Sequence, residues 1–165
     1  MNRTIKFRAW DGETMYSHES IGEDYDFQIG VNGLILMLNE QFHECGSGVA
    51  EEYWQYVDTK AEFMQFTGLT DKNGVDIYEG DIIQFTYWWF DGNEAETLLT
   101  GEIVYSDHSM SFQLKGVKNK EWQKHTGYGD DCDYLTPFSE LNFEEADFHV
   151  IGNIHQNSDL LGGDE

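Results

Sequence analysis

MQFTGLTDKNGVDIYEGDIIQFTYWWF, Met64 to Phe90, carries the densest local instructions in the chain. Asn73-Gly74 is the dipeptide that best tolerates the positive φ angles of a tight hairpin, so a turn is predicted there. The arm before it runs from Phe63 to Leu69. On an alternating strand Phe63, Gln65, Thr67 and Leu69 share one face, and Met64, Phe66 and Gly68 share the other. Both faces are partly apolar, which predicts a buried arm. After the turn, Ile77 and Tyr78 lead into a second reversal at Glu79-Gly80-Asp81. The run from Ile82 to Phe90 is so rich in β-branched and aromatic residues that it reads as a strand and not a helix.

Outward from this block, the chain reads as strand after strand. Ile5, Phe7 and Ala9 alternate with Lys6, Arg8 and Trp10, Asp11-Gly12 turns the chain, and Met15-Tyr16 returns it. Tyr25, Phe27 and Ile29 precede Asn32-Gly33, a second hairpin turn, and Leu34 to Leu38 form the returning arm. Between Val49 and Val57 the pattern fits a short helix or a strand, with the strand favoured from Tyr53 to Val57. Beyond the central block, Asp91-Gly92-Asn93 opens an acidic loop. Leu98 to Tyr105 forms a strand with a bend at Gly101, Phe112 and Leu114 mark the next strand, and Gly116 to Tyr134 is a long polar loop. Ser139 to Phe148 is the best helical candidate, Val150 to Ile154 a last strand, and Ser158 to Leu161 a capped turn.

Three segments together resemble the YopX family of phage and prophage proteins: IKFRAWD (Ile5 to Asp11), MQFTGLTDKNGVDIYEGDII (Met64 to Ile83) and VIGNIHQNSDLL (Val150 to Leu161). They touch both ends and the middle of the chain in matching order and spacing. The resemblance implies a small, β-rich, phage-encoded protein acting in a bacterial cytoplasm. It brings no catalytic residues with it, and no cofactor or metal is expected from the sequence.

The predicted fold class is mainly β (a β-rich α+β chain), with N-terminal β-hairpins packed with a small SH3-like barrel and one or two short helices. Such a barrel would close through strands around Ile82, Ile103, Phe112 and Ile151. The predicted organisation is an N-terminal hairpin region over 1–62, a barrel-like region over 63–161 and a disordered tail over 162–165, with a single domain as the alternative to the first two regions. A chain of 165 residues can bury a core of its own, and 39% hydrophobic with 15% aromatic residues sets it apart from disordered polyanions. Its single proline, Pro137, leaves no Pro-rich linker. No apolar run reaches the length of a membrane span, and MNRTIKFRAWDGE lacks a secretory apolar segment, so a cytoplasmic location is predicted.

Cys45 and Cys132 lie far apart with no CxxC pairing, which suits two reduced thiols. A zinc reading would add His43 and His125, but their spacing is not that of a structural zinc site. GxSxG, P-loop, GxGxxG and HExxH patterns are all absent. The chain therefore reads as non-catalytic. The alternative is a small-ligand or metal-dependent activity in the 106–134 region, where Asp130, Asp131 and Asp133 could offer carboxylates.

Charge is the strongest functional signal. Acidic residues number 32 against 9 basic, a net charge of -23. No Lys or Arg occurs from Ala9 to Thr59, from Asn73 to Leu114, or after Lys124. Such a surface repels nucleic acid, because binding needs cations to displace phosphate counterions. The same surface can face a basic groove on a protein partner, host or phage, and mimic nucleic acid there. Candidate contact residues are Asp91, Glu94 and Glu96 in one loop, Asp130, Asp131 and Asp133 in another, and Glu140, Glu144, Glu145 and Asp147 around the predicted helix. Solubility alone is the plainer meaning of the same charge. Tyr87, Trp88, Trp89 and Phe90 stand in a row, so an alternating strand puts two on each face. The face away from the core is either covered by other segments or is an interface to a partner or to a second copy in a homo-oligomer.

Overall fold

The computed structural model describes residues 4–17, 27–29, 35–39, 53–57, 61–90, 94–116, 134–137 and 147–161. In 27–29, 35–39, 53–57, 89–90, 94–95 and 134–137 the backbone alone is described. Among the described residues twelve strands run in chain order: β1 (Phe7–Trp10), β2 (Met15–Tyr16), β3 (Phe27–Ile29), β4 (Ile35–Asn39), β5 (Tyr53–Val57), β6 (Glu62–Thr70), β7 (Asp76–Tyr78), β8 (Asp81–Phe90), β9 (Glu94–Ser106), β10 (Ser111–Lys115), β11 (Tyr134–Pro137) and β12 (His149–Asn153). A 3-10 turn follows at Ser158–Leu161. The chain is mainly β, and it divides into two compact units, residues 7–64 and residues 1–6 with 65–165.

In the unit spanning residues 7–64, β1 and β2 form the first hairpin, with Ala9 opposite Tyr16 and Trp10 opposite Met15. Its turn is built by Asp11, whose Oδ1 accepts from the Glu13 and Thr14 N–H groups at 2.8 and 2.7 Å and whose Oδ2 accepts from the Tyr16 hydroxyl at 2.8 Å. The Thr14 N–H contributes most to holding the Asp11 carboxyl below its ordinary value of 3.8, against the opposing effect of desolvation. Arg8 is buried and reaches Met64, with Nε 3.4 Å from Sδ. β3, β4 and β5 form a three-stranded antiparallel sheet, in which Ile29 faces Ile35 and Ile35 faces Val57. The Tyr53–Val57 segment is thus a strand.

The other unit contains a five-stranded antiparallel sheet in the order β11-β10-β9-β8-β12, curled into a half-barrel. The strands expected around Ile82, Ile103, Phe112 and Ile151 all fall within it. Ile83 faces Gly101, Phe85 faces Leu99, and Leu114 faces Ile103. These side chains fill the concave face together with Ile77, Phe112 and Phe148. Each such side chain contributes about 1.5–3 kcal/mol by leaving water, so this cluster is the main source of the unit's stability. Phe148 stacks on Phe85 with ring centroids 5.2 Å apart. On β12 a bulge at Ile151 lets Val150 face Ile83 while Gly152 faces Ile82.

One sequence expectation changes here, and another lies largely beyond the described residues. The acidic loop expected to hold Glu94 and Glu96 is instead the start of β9, which begins at Glu94 and pairs along its length with β8. Glu and Ala are poor strand formers, so composition hides this extension; the aromatic partner strand imposes it. The helix expected over Ser139 to Phe148 falls mostly outside the described residues, and its last two residues, Asp147 and Phe148, are not helical.

Candidate functional site

The central sequence block builds a scaffold. Asp71 N–H donates to Val75 O at 2.8 Å and Gly74 N–H to Asp71 O at 3.0 Å, closing the β6–β7 turn. Gly74 takes a φ of 84°, the left-handed geometry that Asn-Gly favours. The Asp71 side chain is only 6% exposed and is the hub of the turn. Its Oδ1 accepts from Asn73 N–H at 2.8 Å and Val75 N–H at 2.9 Å, while Oδ2 accepts from Val150 N–H at 3.3 Å. Desolvation pushes this carboxyl up, but the N–H donors of Val75, Asn73 and Val150 together outweigh it and hold the group below 3.8. One carboxylate thus ties the hairpin to β12. Lys72 N–H adds a bond to Phe148 O at 3.1 Å, and Asn73 Nδ2 donates to His149 Nδ1 at 3.3 Å.

Gly80 plays a similar part at the next reversal. Its N–H donates to Ile103 O at 2.8 Å and its carbonyl accepts from Ile154 N–H at 2.9 Å, so β9 and the end of β12 meet at one turn. Asn153 Oδ1 accepts from the N–H groups of His155 and Gln156 at 3.1 and 3.0 Å, which closes the turn after β12. The residues that make the sequence most distinctive are therefore engaged by backbone. They position a site without forming one.

What they position is the β8–β9 ribbon. β12 pairs with β8 as far as Gln84, and β10 pairs with β9 as far as Glu102. From Phe85 to Phe90 and from Glu94 to Gly101 the two strands pair, among the described residues, with each other only. Strand alternation sends Phe85, Tyr87 and Leu99 to the core side. It sends Trp88 and Leu98 outward, where each is 57% exposed. Trp88 lies opposite Glu96, which is also exposed, and Leu98 lies opposite Thr86, the next outward pair. An exposed tryptophan and leucine flanking a carboxylate offer apolar contact and charge on one small surface.

Of the four aromatics, Tyr87 packs on the core and Trp88 is exposed; Trp89 and Phe90 pair with Ala95 and Glu94 along the ladder, with their side chains outside the described set. Among the expected acidic contacts, Glu96 lies on the ribbon, whereas Asp147 precedes β12 and pairs with Lys72 at 3.3 Å. The structure does not join these two carboxylates in one cluster. Glu94 is placed as the first residue of β9, and Asp91, Asp130, Asp131, Asp133, Glu140, Glu144 and Glu145 lie outside the described residues. So do Cys45, Cys132, His43 and His125, and with them the zinc reading. The sequence does not single out Leu98, although Leu98-Leu99 within a strand requires one leucine to point outward. The described basic residues Lys6 and Lys72 are each engaged by a carboxylate, Asp76 and Asp147 respectively.

Comparison with known proteins gives a consistent result. The family described as YopX protein matches residues 6–162. The crystal structure of the YopX protein from Bacillus subtilis superposes with a TM-score of 0.51 at 22% identity, covering 94% of this chain and 96% of the other. A protein of known structure from Enterococcus faecalis gives 0.48 at 24% identity, covering 97% and 99%. No curated protein matches the chain. The first superposition supports the β fold described above, and the span of the family match leads to a plain conclusion: this chain belongs to the YopX family.

Proposed function

We propose that this protein is a non-catalytic, phage-encoded binding protein of the bacterial cytoplasm, which presents an acidic surface to a basic, nucleic-acid-handling protein. The observation that carries this reading is the charge: 32 acidic against 9 basic residues on a folded β chain. Burial of a core by the half-barrel sets it apart from an acidic disordered tail. Engagement of Lys6 by Asp76 and of Lys72 by Asp147 further reduces the positive charge available at the surface. A folded polyanion of this kind attracts a basic groove at long range and competes there with nucleic acid. A half-barrel carrying the β8–β9 ribbon suits such a role.

The test is capture from bacterial lysate on immobilised protein over about 50–500 mM NaCl, with and without duplex DNA as competitor. Nucleic-acid-handling proteins should bind at low salt and leave when duplex DNA is added. Capture that neither salt nor DNA disturbs would sink the proposal.

A further inference from the structure

The Asn73-Gly74 dipeptide at the β6–β7 turn carries chemistry of its own, separate from the binding role proposed above. We infer that Asn73 is a modification site, converted to aspartate and isoaspartate through attack by the Gly74 backbone nitrogen, and that the folded hairpin holds this reaction shut until the turn opens.

The reaction needs no reagent but water. The Gly74 nitrogen attacks Asn73 Cγ; a new N–Cγ bond forms, the Cγ–Nδ2 bond breaks, and the side-chain nitrogen leaves as ammonia with the proton that Gly74 gives up. Water then opens the resulting succinimide at either carbonyl, leaving aspartate or isoaspartate. Glycine after asparagine favours the attack, because it has no side chain to obstruct it. Both residues are exposed, so water reaches them. Burial is therefore not what protects the site.

Hydrogen bonding protects it. Gly74 N–H donates to Asp71 O at 3.0 Å, which engages the attacking nitrogen. Asn73 is held at both ends: its backbone N–H donates to Asp71 Oδ1 at 2.8 Å, and its Nδ2 donates to Asp71 Oδ2 at 3.5 Å and to His149 Nδ1 at 3.3 Å. Val75 N–H to Asp71 Oδ1 at 2.9 Å and Asp71 N–H to Val75 O at 2.8 Å close the same turn. Succinimide formation must pull Gly74 off Asp71 O and swing the Asn73 side chain away from β12. The rate in the folded chain then follows the fraction of molecules with the turn open. The conversion also runs one way. Isoaspartate adds a carbon to the main chain between positions 73 and 74 and breaks the register of the backbone bonds across the turn. Aspartate sets a second carboxylate where Nδ2 donated to Asp71.

The test incubates the full chain at mildly alkaline pH, folded and in guanidinium chloride, and follows deamidation at Asn73 by peptide mass spectrometry, with isoaspartate separated by chromatography. The unfolded chain should convert Asn73 at least about tenfold faster, since unfolding removes every bond that engages the turn. His149→Ala frees the Asn73 side chain and should raise the folded rate by about twofold or more, the worth of one ordinary hydrogen bond. Asp71→Asn loosens the turn itself and should raise it further. His149→Ala leaves the backbone bonds of the turn in place, so it keeps the test decisive should Asp71→Asn not fold. The isoaspartate form, once separated, should unfold at a lower urea concentration than the intact chain. Equal rates in folded and unfolded wild type, an Asn73 that stays intact in the unfolded chain, a folded His149→Ala no faster than wild type, or an unfolding midpoint unchanged by isoaspartate would each overturn the inference.

Discussion

Asp71 offers the sharpest perturbation of the scaffold. Its Oδ1 holds two N–H groups at 2.8 and 2.9 Å, and its Oδ2 holds a third at 3.3 Å. A hydrogen bond to a charged group contributes about 1.5–3 kcal/mol, and donors left behind in a buried turn add a desolvation cost. The 3.3 Å bond is the weakest of the three, and part of the lost bonding is recovered from water. Asp71→Ala should therefore cost about 3–4 kcal/mol. Asp71→Asn keeps one oxygen for Asn73 and Val75, but turns an NH2 group towards the Val150 N–H, and should cost about half as much.

The pH dependence has a definite sign. The folded Asp71 carboxyl lies below its ordinary value of 3.8, so its stabilising effect is complete above that value. It is lost as pH falls through the lower folded value. Urea denaturation of wild type and Asp71→Asn from neutral pH downwards is the assay. The gap between the two should stay constant near neutrality and narrow at acid pH. A gap under about 0.5 kcal/mol at neutral pH, the range of an ordinary surface substitution, would refute the role of Asp71 as a hub. So would a gap that ignores acid.

Other expected outcomes follow from equally local geometry. A Cβ on Gly152 would lie 2.5 Å from Asn157 Oδ1 and 2.8 Å from Asn157 Cβ, so Gly152→Ala should cost about 1–3 kcal/mol, and Asn157→Ala in the same chain should recover part of it in thermal melts. Phe148→Ala empties a buried ring site against Phe85 and should cost about 3–5 kcal/mol by urea denaturation; a loss below about 1 kcal/mol would show that the stack contributes little. Trp88→Ala should change stability by no more than about 0.5 kcal/mol, because the ring is exposed, so a large loss of stability would contradict its outward placement.

Legibility of the sequence tracked how locally each feature is encoded. Asn73-Gly74 and Glu79-Gly80-Asp81 announce their turns, because a positive φ or a tight reversal restricts residue type at the site itself. The Tyr53–Val57 strand was visible through β-branched and aromatic content. The extension of β9 back to Glu94 was not, because Glu94, Ala95 and Glu96 have weak strand preference and are held there by pairing with Phe90, Trp89 and Trp88. The role of Asp71 was likewise hidden: the turn was readable, but its bond to Val150 joins residues 79 positions apart. At the candidate site, the four aromatics foretold an outward ring without saying which one. Leu98 is hard to read because either leucine of Leu98-Leu99 could be core, and only the structure puts Leu99 inward. The number of acidic residues is plain in the sequence, yet charge alone says nothing about grouping, and the structure keeps Glu96 and Asp147 on separate elements.

The central claim is that an acidic surface competes with nucleic acid for a basic partner. Its most direct measurement is displacement: lysate proteins captured on the immobilised chain at low salt, challenged with increasing duplex DNA. Nucleic-acid-handling proteins should be released as DNA is added, and capture without DNA should weaken as salt rises. Proteins that stay bound at saturating DNA, or a captured set free of nucleic-acid-handling proteins, would contradict it.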